Sequence, residues 1–181
     1  MKMTLSIPYA DGEKNFQLNE RNILYMQKLP PTSEGKEEDR IREALQNPVG
    51  SDRIGDLVGR GDKVAILVDD WTRPTPAYKI VPIVIEELIN SSIKACDIRI
   101  VFACGTHSKL SRLQMEEKVG RDLLKAYHAQ NHDPTGGLLS LGRSKRGTPV
   151  FINRFVMKAD FKVAIGGICA HPIAGYGVEQ R

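Results

Sequence analysis

The stretch KVAILVDDWTRPTP, residues 63–76, decides the fold. After Lys63 it runs apolar without alternation to Val68, as expected of a strand covered on both faces within a parallel sheet. The run then closes on two carboxylates, Asp69 and Asp70, followed by Thr72, Arg73, Pro74 and Pro76. In open α/β sheets ligands lie beyond the carboxyl ends of the strands, so a buried strand ending in ionisable groups delivers them to a crevice. The prolines suit the turn into a following helix.

The flanking sequence repeats this plan. Apolar residues at helical spacing in YKIVPIVIEELIN predict a helix ending at Asn90, with Pro82 in its first turn or at a kink. IRIVFA, residues 98–103, reads as a second buried strand and is followed by the turn CGTH. Ser111-Arg112-Leu113-Gln114 reads as a capping box opening a helix through Met115 and Val119 toward Leu123 and Leu124. After the loop NHDPTGG, TPVFINRFV predicts a strand passing into a helix or turn, and FKVAIGGI, residues 161–168, a third buried strand. Upstream, EDRIREALQNP predicts a short amphipathic helix closed by Pro48, LSIPYA and FQLNE short edge strands, and LPPTSEGKEEDR a charged connector. The alternation predicts an α/β fold, a Rossmann-like open, mostly parallel sheet with flanking helices, in one domain over residues 1–181.

Composition narrows the function. With 41% hydrophobic and 27% charged residues, and no apolar run near the roughly 18 residues of a membrane helix or the h-region of a signal peptide, a cytoplasmic protein without membrane association is expected. The net charge of +4 is spread among acids, with GRSKR at 142–146 the one dense basic cluster. That favours a small anionic ligand over nucleic acid. Cys96, Cys104 and Cys169 form no CxxC, which points to reduced thiols packed as small hydrophobes rather than zinc ligands or disulfides. Neither a P-loop nor a GxGxxG fingerprint is present.

The three strand ends carry the candidate site. The first offers Asp70, Thr72 and Arg73; the second Gly105, Thr106 and His107; the third Gly166, Gly167 and, after ICA, His171. Arg73 can grip a carboxylate or phosphate with two parallel bonds, and Thr72 with the amides of the next helix can complete an anion site. Asp70 can orient Arg73 or accept from a ribose hydroxyl. His107 and His171 could act as acid and base near neutral pH on opposite faces of a substrate. Lys145 and Arg146 could reach a phosphate from their loop. Singly, each feature has a plainer reading: a surface ion pair, a turn with a solvent-facing histidine, a glycine turn, a solvated basic loop. His128 reads as the solvated end of a helix, and His132 as part of an Asx-type turn with Asp133 or a supporting hydrogen bonder.

In this order, DDWTRPTP, ACGTH, NHDP, RGTPVFIN and GGICAHPIAGY resemble the amino-terminal domain of the nickel-dependent lactate racemase family, and REALQNPVGSDRIGDLVGRGDKVAIL resembles its lead-in. The resemblance implies a racemase or epimerase of small 2-hydroxy acids. It implies that Asp70, Thr72 and Arg73 match a motif holding cofactor and substrate carboxylate, and that His107 and His171 match the proton-transferring pair. The implied cofactor is a nickel pincer nucleotide that accepts and returns the substrate's α-hydride. The position of the family's cofactor-attaching lysine is held by Arg181, so the resemblance does not extend to covalent attachment. No residue here matches the family's nickel-ligating histidine, so no metal ligand is assigned. The expectation is therefore the amino-terminal part of a larger racemase, weak or inactive alone, whose uncovered apolar edge favours a homo-oligomer. The alternative is a non-catalytic domain binding a nucleotide, a small organic acid or a protein partner.

Overall fold

The structure is a computed structural model describing residues 1–25, 35–105, 107–171 and 175–178, with backbone alone described at 8, 169–171 and 175–178. The chain divides into two compact units, Met1–Glu34 and Gly35–Arg181. The first contains β1 (Lys2–Tyr9) and β2 (Gly12–Asn19), paired antiparallel with Met3 opposite Leu18 and Leu5 opposite Phe16. Strand alternation places these apolar cross-strand pairs on one face of the hairpin. The expected edge strands are thus each other's partners.

The second unit opens with α1 (Glu37–Gln46) and α2 (Ile54–Leu57), and then enters β3 (Val64–Asp69). Next come α3 (Ala77–Asn90), β4 (Ile98–Ala103), α4 (Arg112–Val119), α5 (Arg121–Ala126) and β5 (His128–Asn131). The chain continues through β6 (Leu138–Arg143), β7 (Pro149–Asn153), α6 (Arg154–Lys158) and β8 (Phe161–Ile165), then β9 (Ile168–His171) and β10 (Gly175–Val178). Four strands form one parallel sheet in the order β5-β4-β3-β8. The chain builds outward from β3 to β5, then returns to add β8 on the other side of β3. This is the reversal of strand order at which doubly wound sheets open a crevice. It lies beside the carboxyl end of β3.

The register sets Val64, Ile66 and Val68 against Ile98, Ile100 and Phe102. These six are fully buried, in one cluster with Val81, Val84, Ile85 and Leu88 of α3. Helical spacing in α3 and unbroken apolar runs in the strands are therefore two halves of one core. On the other side, Leu67 and Val101 share a cavity of about 250 Å³ with Phe151 and Val156. Among the described residues no helix is long and apolar enough to cross a membrane.

Several local expectations change. Pro82 lies in the second turn of α3, not the first, and costs that helix one backbone bond. The capping box forms, with Ser111 N–H donating to Gln114 Oε1 at 2.8 Å and Gln114 N–H to Ser111 Oγ at 3.3 Å. Its helix stops at Gly120, whose φ of 96° turns the chain before α5. His128 opens an edge strand rather than closing a helix, and its ring stacks on Phe155 with centroids 6.2 Å apart. The third strand expected to be buried is instead an edge strand open on one face, with Lys162 and Ala164 exposed and Ile165 alone buried; it ends at Ile165, and Gly166-Gly167 lead into the antiparallel pair β9–β10. Cys104 is buried as expected, whereas Cys96 is exposed because it sits in a surface turn. The Cys169 side chain and residues 29–34 of the expected connector lie outside what is described, while its last residues, Glu37 to Arg40, belong to α1.

Candidate functional site

The turn leaving β3 is built by Asp70. Its Oδ1 accepts from the Thr72 amide at 2.9 Å and from the Thr72 hydroxyl, while its carbonyl accepts from the Arg73 amide at 3.2 Å. An Asp opening a four-residue turn and bonding the amide two residues on is the local reason the strand stops there. A matching turn leaves β4: Gly105 takes φ +57°, and the His107 amide bonds the Cys104 carbonyl at 2.9 Å. The buried Cys104 thiol contacts Asn131 Oδ1 at 3.4 Å, and Asn131 bonds both backbone groups of Leu110. This fixes the two ends of the His107 loop against β5.

The two turns meet. His107 Nδ1 lies 2.8 Å from Asp70 Oδ2, and Arg73 Nε lies 4.0 Å from the same oxygen. Asp70 is buried while the His107 side chain is 38% exposed, so the imidazole bridges the sheet end and solvent. An Nδ1–H donated to Asp70 leaves Nε2 as the basic nitrogen, and Nε2 has no protein partner among the described residues. Asp70 orients His107 at closer range than it orients Arg73, the partner considered first from sequence.

Burial pushes the Asp70 carboxyl up, but the Thr72 hydroxyl, the Thr72 amide and His107 outweigh it, and the net shift is down. Burial raises the Cys104 thiol, so it is not an ionised nucleophile near neutrality. The half-buried Asp133 carboxylate is held below its ordinary range by Lys109 and by the Thr135 hydroxyl and amide, and the Thr135 amide bond closes an Asx turn on Asp133. A folded-state value below the unfolded one stabilises the fold above the unfolded value and is lost as pH falls through the folded one. Asp70, Asp97 beside Lys63, and Glu116 beside Arg121 and Arg112 all shift down. Urea midpoints should therefore hold level from neutrality and fall below about pH 4. A midpoint that rises on acidification would contradict this arrangement.

Asp70, Thr72, Arg73, Gly105 and His107 are brought together by the ends of β3 and β4. Lys145 and Arg146 are not, since they occupy the exposed turn of the β6–β7 hairpin and no hydrogen bond or ion pair joins either to Asp70. Thr106 and Arg181 lie outside the described residues, and His171 is described by its backbone alone, at the end of β9. Lys118 was missed from sequence. It is buried on α4 with its Nζ 2.7 Å from Asp69 Oδ1, and an ionisable residue between Met115 and Val119, on the helix's apolar face, was the available signal. Among the described residues no three His, Cys, Asp or Glu side chains cluster as metal ligands would.

A reversed strand order with a histidine–carboxylate pair and an arginine at the carboxyl end of β3 defines an α/β domain whose titratable groups gather where such sheets bind ligands. The chain belongs to the family described as the lactate racemase N-terminal domain, whose model matches residues 9–178. It is 29% identical to the lactate racemase of Thermoanaerobacterium thermosaccharolyticum, with 98% of this chain and 42% of that protein aligned. It is 26% identical to the lactate racemase of Lactiplantibacillus plantarum, with 99% and 43% aligned. The solved lactate racemase apoprotein of T. thermosaccharolyticum superposes with a TM-score of 0.81 at 30% identity, covering 97% of this chain and 41% of that one. The chain thus spans less than half the length of these relatives.

Proposed function

We propose that this chain supplies the carboxylate-gripping arginine and one acid–base histidine of a 2-hydroxy-acid racemase or epimerase. The observation that carries the reading is the Asp70–His107 pair at 2.8 Å with Arg73 beside the same carboxylate, at the crevice end of β3. Arg73 binds the substrate carboxylate through two charge-assisted bonds. His107 Nε2 then takes the hydroxyl proton of one enantiomer, and Asp70 stabilises the resulting imidazolium. His171 serves the opposite enantiomer, an assignment resting on motif resemblance.

The family resemblance implies a nickel pincer nucleotide. Arg73 offers donors suited to its anionic nucleotide part, whereas both Thr72 donors are taken by Asp70 Oδ1, and the described residues supply no ligand cluster for the nickel. When bound, that group provides the acceptor and donor for the substrate's α-hydride. The chain would work as the amino-terminal domain of a larger protein.

Interconversion of D- and L-lactate in deuterated water tests this, using the chain joined to the remaining length of a racemase and loaded with cofactor. The expected result is turnover with protium retained at Cα. Deuterium at Cα would assign carbanion chemistry to the histidines instead, and absence of both turnover and cofactor binding would leave a non-catalytic binding domain.

A further inference from the structure

We propose that Lys118, paired with Asp69, is a positioning residue that aims the Asp70–Arg73 turn; this rests on the racemase reading for its purpose, though not for its geometry. The Lys118 side chain is 5% exposed and that of Asp69 1%. Besides standing 2.7 Å from Asp69 Oδ1, Lys118 Nζ donates to the Arg73 carbonyl at 2.9 Å and the Thr75 carbonyl at 3.3 Å. Thr75 Oγ1 donates to Asp69 Oδ2 at 2.5 Å. One cation from α4 therefore gathers the end of β3 and both flanks of Pro74. An ammonium has three donors, and three acceptors from this one loop surround it.

The contact with Asp69 is ionic rather than a formed hydrogen bond, since Oδ1 is buried without an aligned donor. Buried ion pairs of this kind are poor stabilisers, because desolvation offsets most of the attraction and apolar residues of similar volume do as well. What the pair contributes is direction. Asp69 is the last residue of β3 and Asp70 opens the turn, so holding Asp69 on α4 fixes the point at which the turn carrying Asp70 leaves the sheet. Holding the Arg73 carbonyl likewise fixes the point from which its guanidinium extends.

The decisive variant is Asp69→Asn with Lys118→Met in this chain, which removes both charges and leaves no unpaired buried ion. It is expected to fold with β3 amides as protected from hydrogen exchange as before. Protection at the Thr72 and Arg73 amides should fall about tenfold or more as the turn opens locally. The Asp70 carboxyl, followed by carbon NMR, should titrate higher because its Thr72 donors are no longer held on it. Lactate affinity should drop in parallel. Exchange and titration require no ligand, so they judge the positioning role separately from the racemase reading, which lactate binding by the chain joined to the remaining length of a racemase tests. A double variant with unchanged protection at Thr72 and Arg73 would overturn the positioning role. So would one that does not fold, since the pair would then be a core stabiliser.

Discussion

Replacing Arg73 by alanine is expected to weaken lactate binding on the order of 100-fold while leaving the fold in place. A carboxylate gripped by two charge-assisted bonds, each worth roughly 1.5–3 kcal/mol, loses about 3 kcal/mol or more with the guanidinium. The fold should survive because the Arg73 side chain lies outside the hydrophobic core. The turn itself is held by the Arg73 amide and carbonyl, which alanine keeps. Arg73→Lys should recover only part of the loss, because a point-like ammonium cannot hold both carboxylate oxygens in plane. Calorimetric titration with L- and D-lactate decides it. Binding by Arg73→Ala within about threefold of the parent would remove Arg73 from the carboxylate site.

The parts of this arrangement that the sequence disclosed are those in which local pattern and tertiary role coincide. Residues 64–68 and 98–103 read as strands because both of their faces are covered, and Ser111 with Gln114 announced a helix start that forms as read. Asp70, Arg73 and His107 stood out because charge after an apolar run is unusual. Strand β5, HAQN, escaped notice because an edge strand of four residues with one apolar side chain has no periodicity to detect. The break at Gly120 was hidden by Leu123 and Leu124, which continue an apolar pattern across the bend. Lys118 was hidden for a different reason: its partners are carbonyls and a carboxylate on a distant loop, and backbone acceptors leave no mark in sequence. The adjacent carboxylates 69 and 70 could be seen together, but only the fold separates them into one that anchors and one that orients a histidine.

That separation makes Asp70→Asn the sharpest test of the histidine's role. Two donors, the Thr72 amide and the Thr72 hydroxyl, converge on Asp70 Oδ1. An asparagine at this position will place its oxygen there and turn its NH₂ toward the place now held by Oδ2, which lies 2.8 Å from His107 Nδ1. Facing a donor, Nδ1 must become the acceptor, so the ring proton moves to Nε2 and the basic nitrogen is withdrawn from the substrate side. The expected signature in this chain is an exchange of the two imidazole nitrogen shifts, read by nitrogen NMR above the histidine titration range. In the assembled racemase, turnover should fall by about 10²–10⁴, the usual worth of a positioned general base. The Michaelis constant for lactate should change little, since Arg73 remains. His107→Gln should give a similar loss of turnover without further loss in the double variant, because both changes remove one unit. If Nε2 stays the unprotonated nitrogen in Asp70→Asn and turnover stays within tenfold, the proton path does not run through this pair.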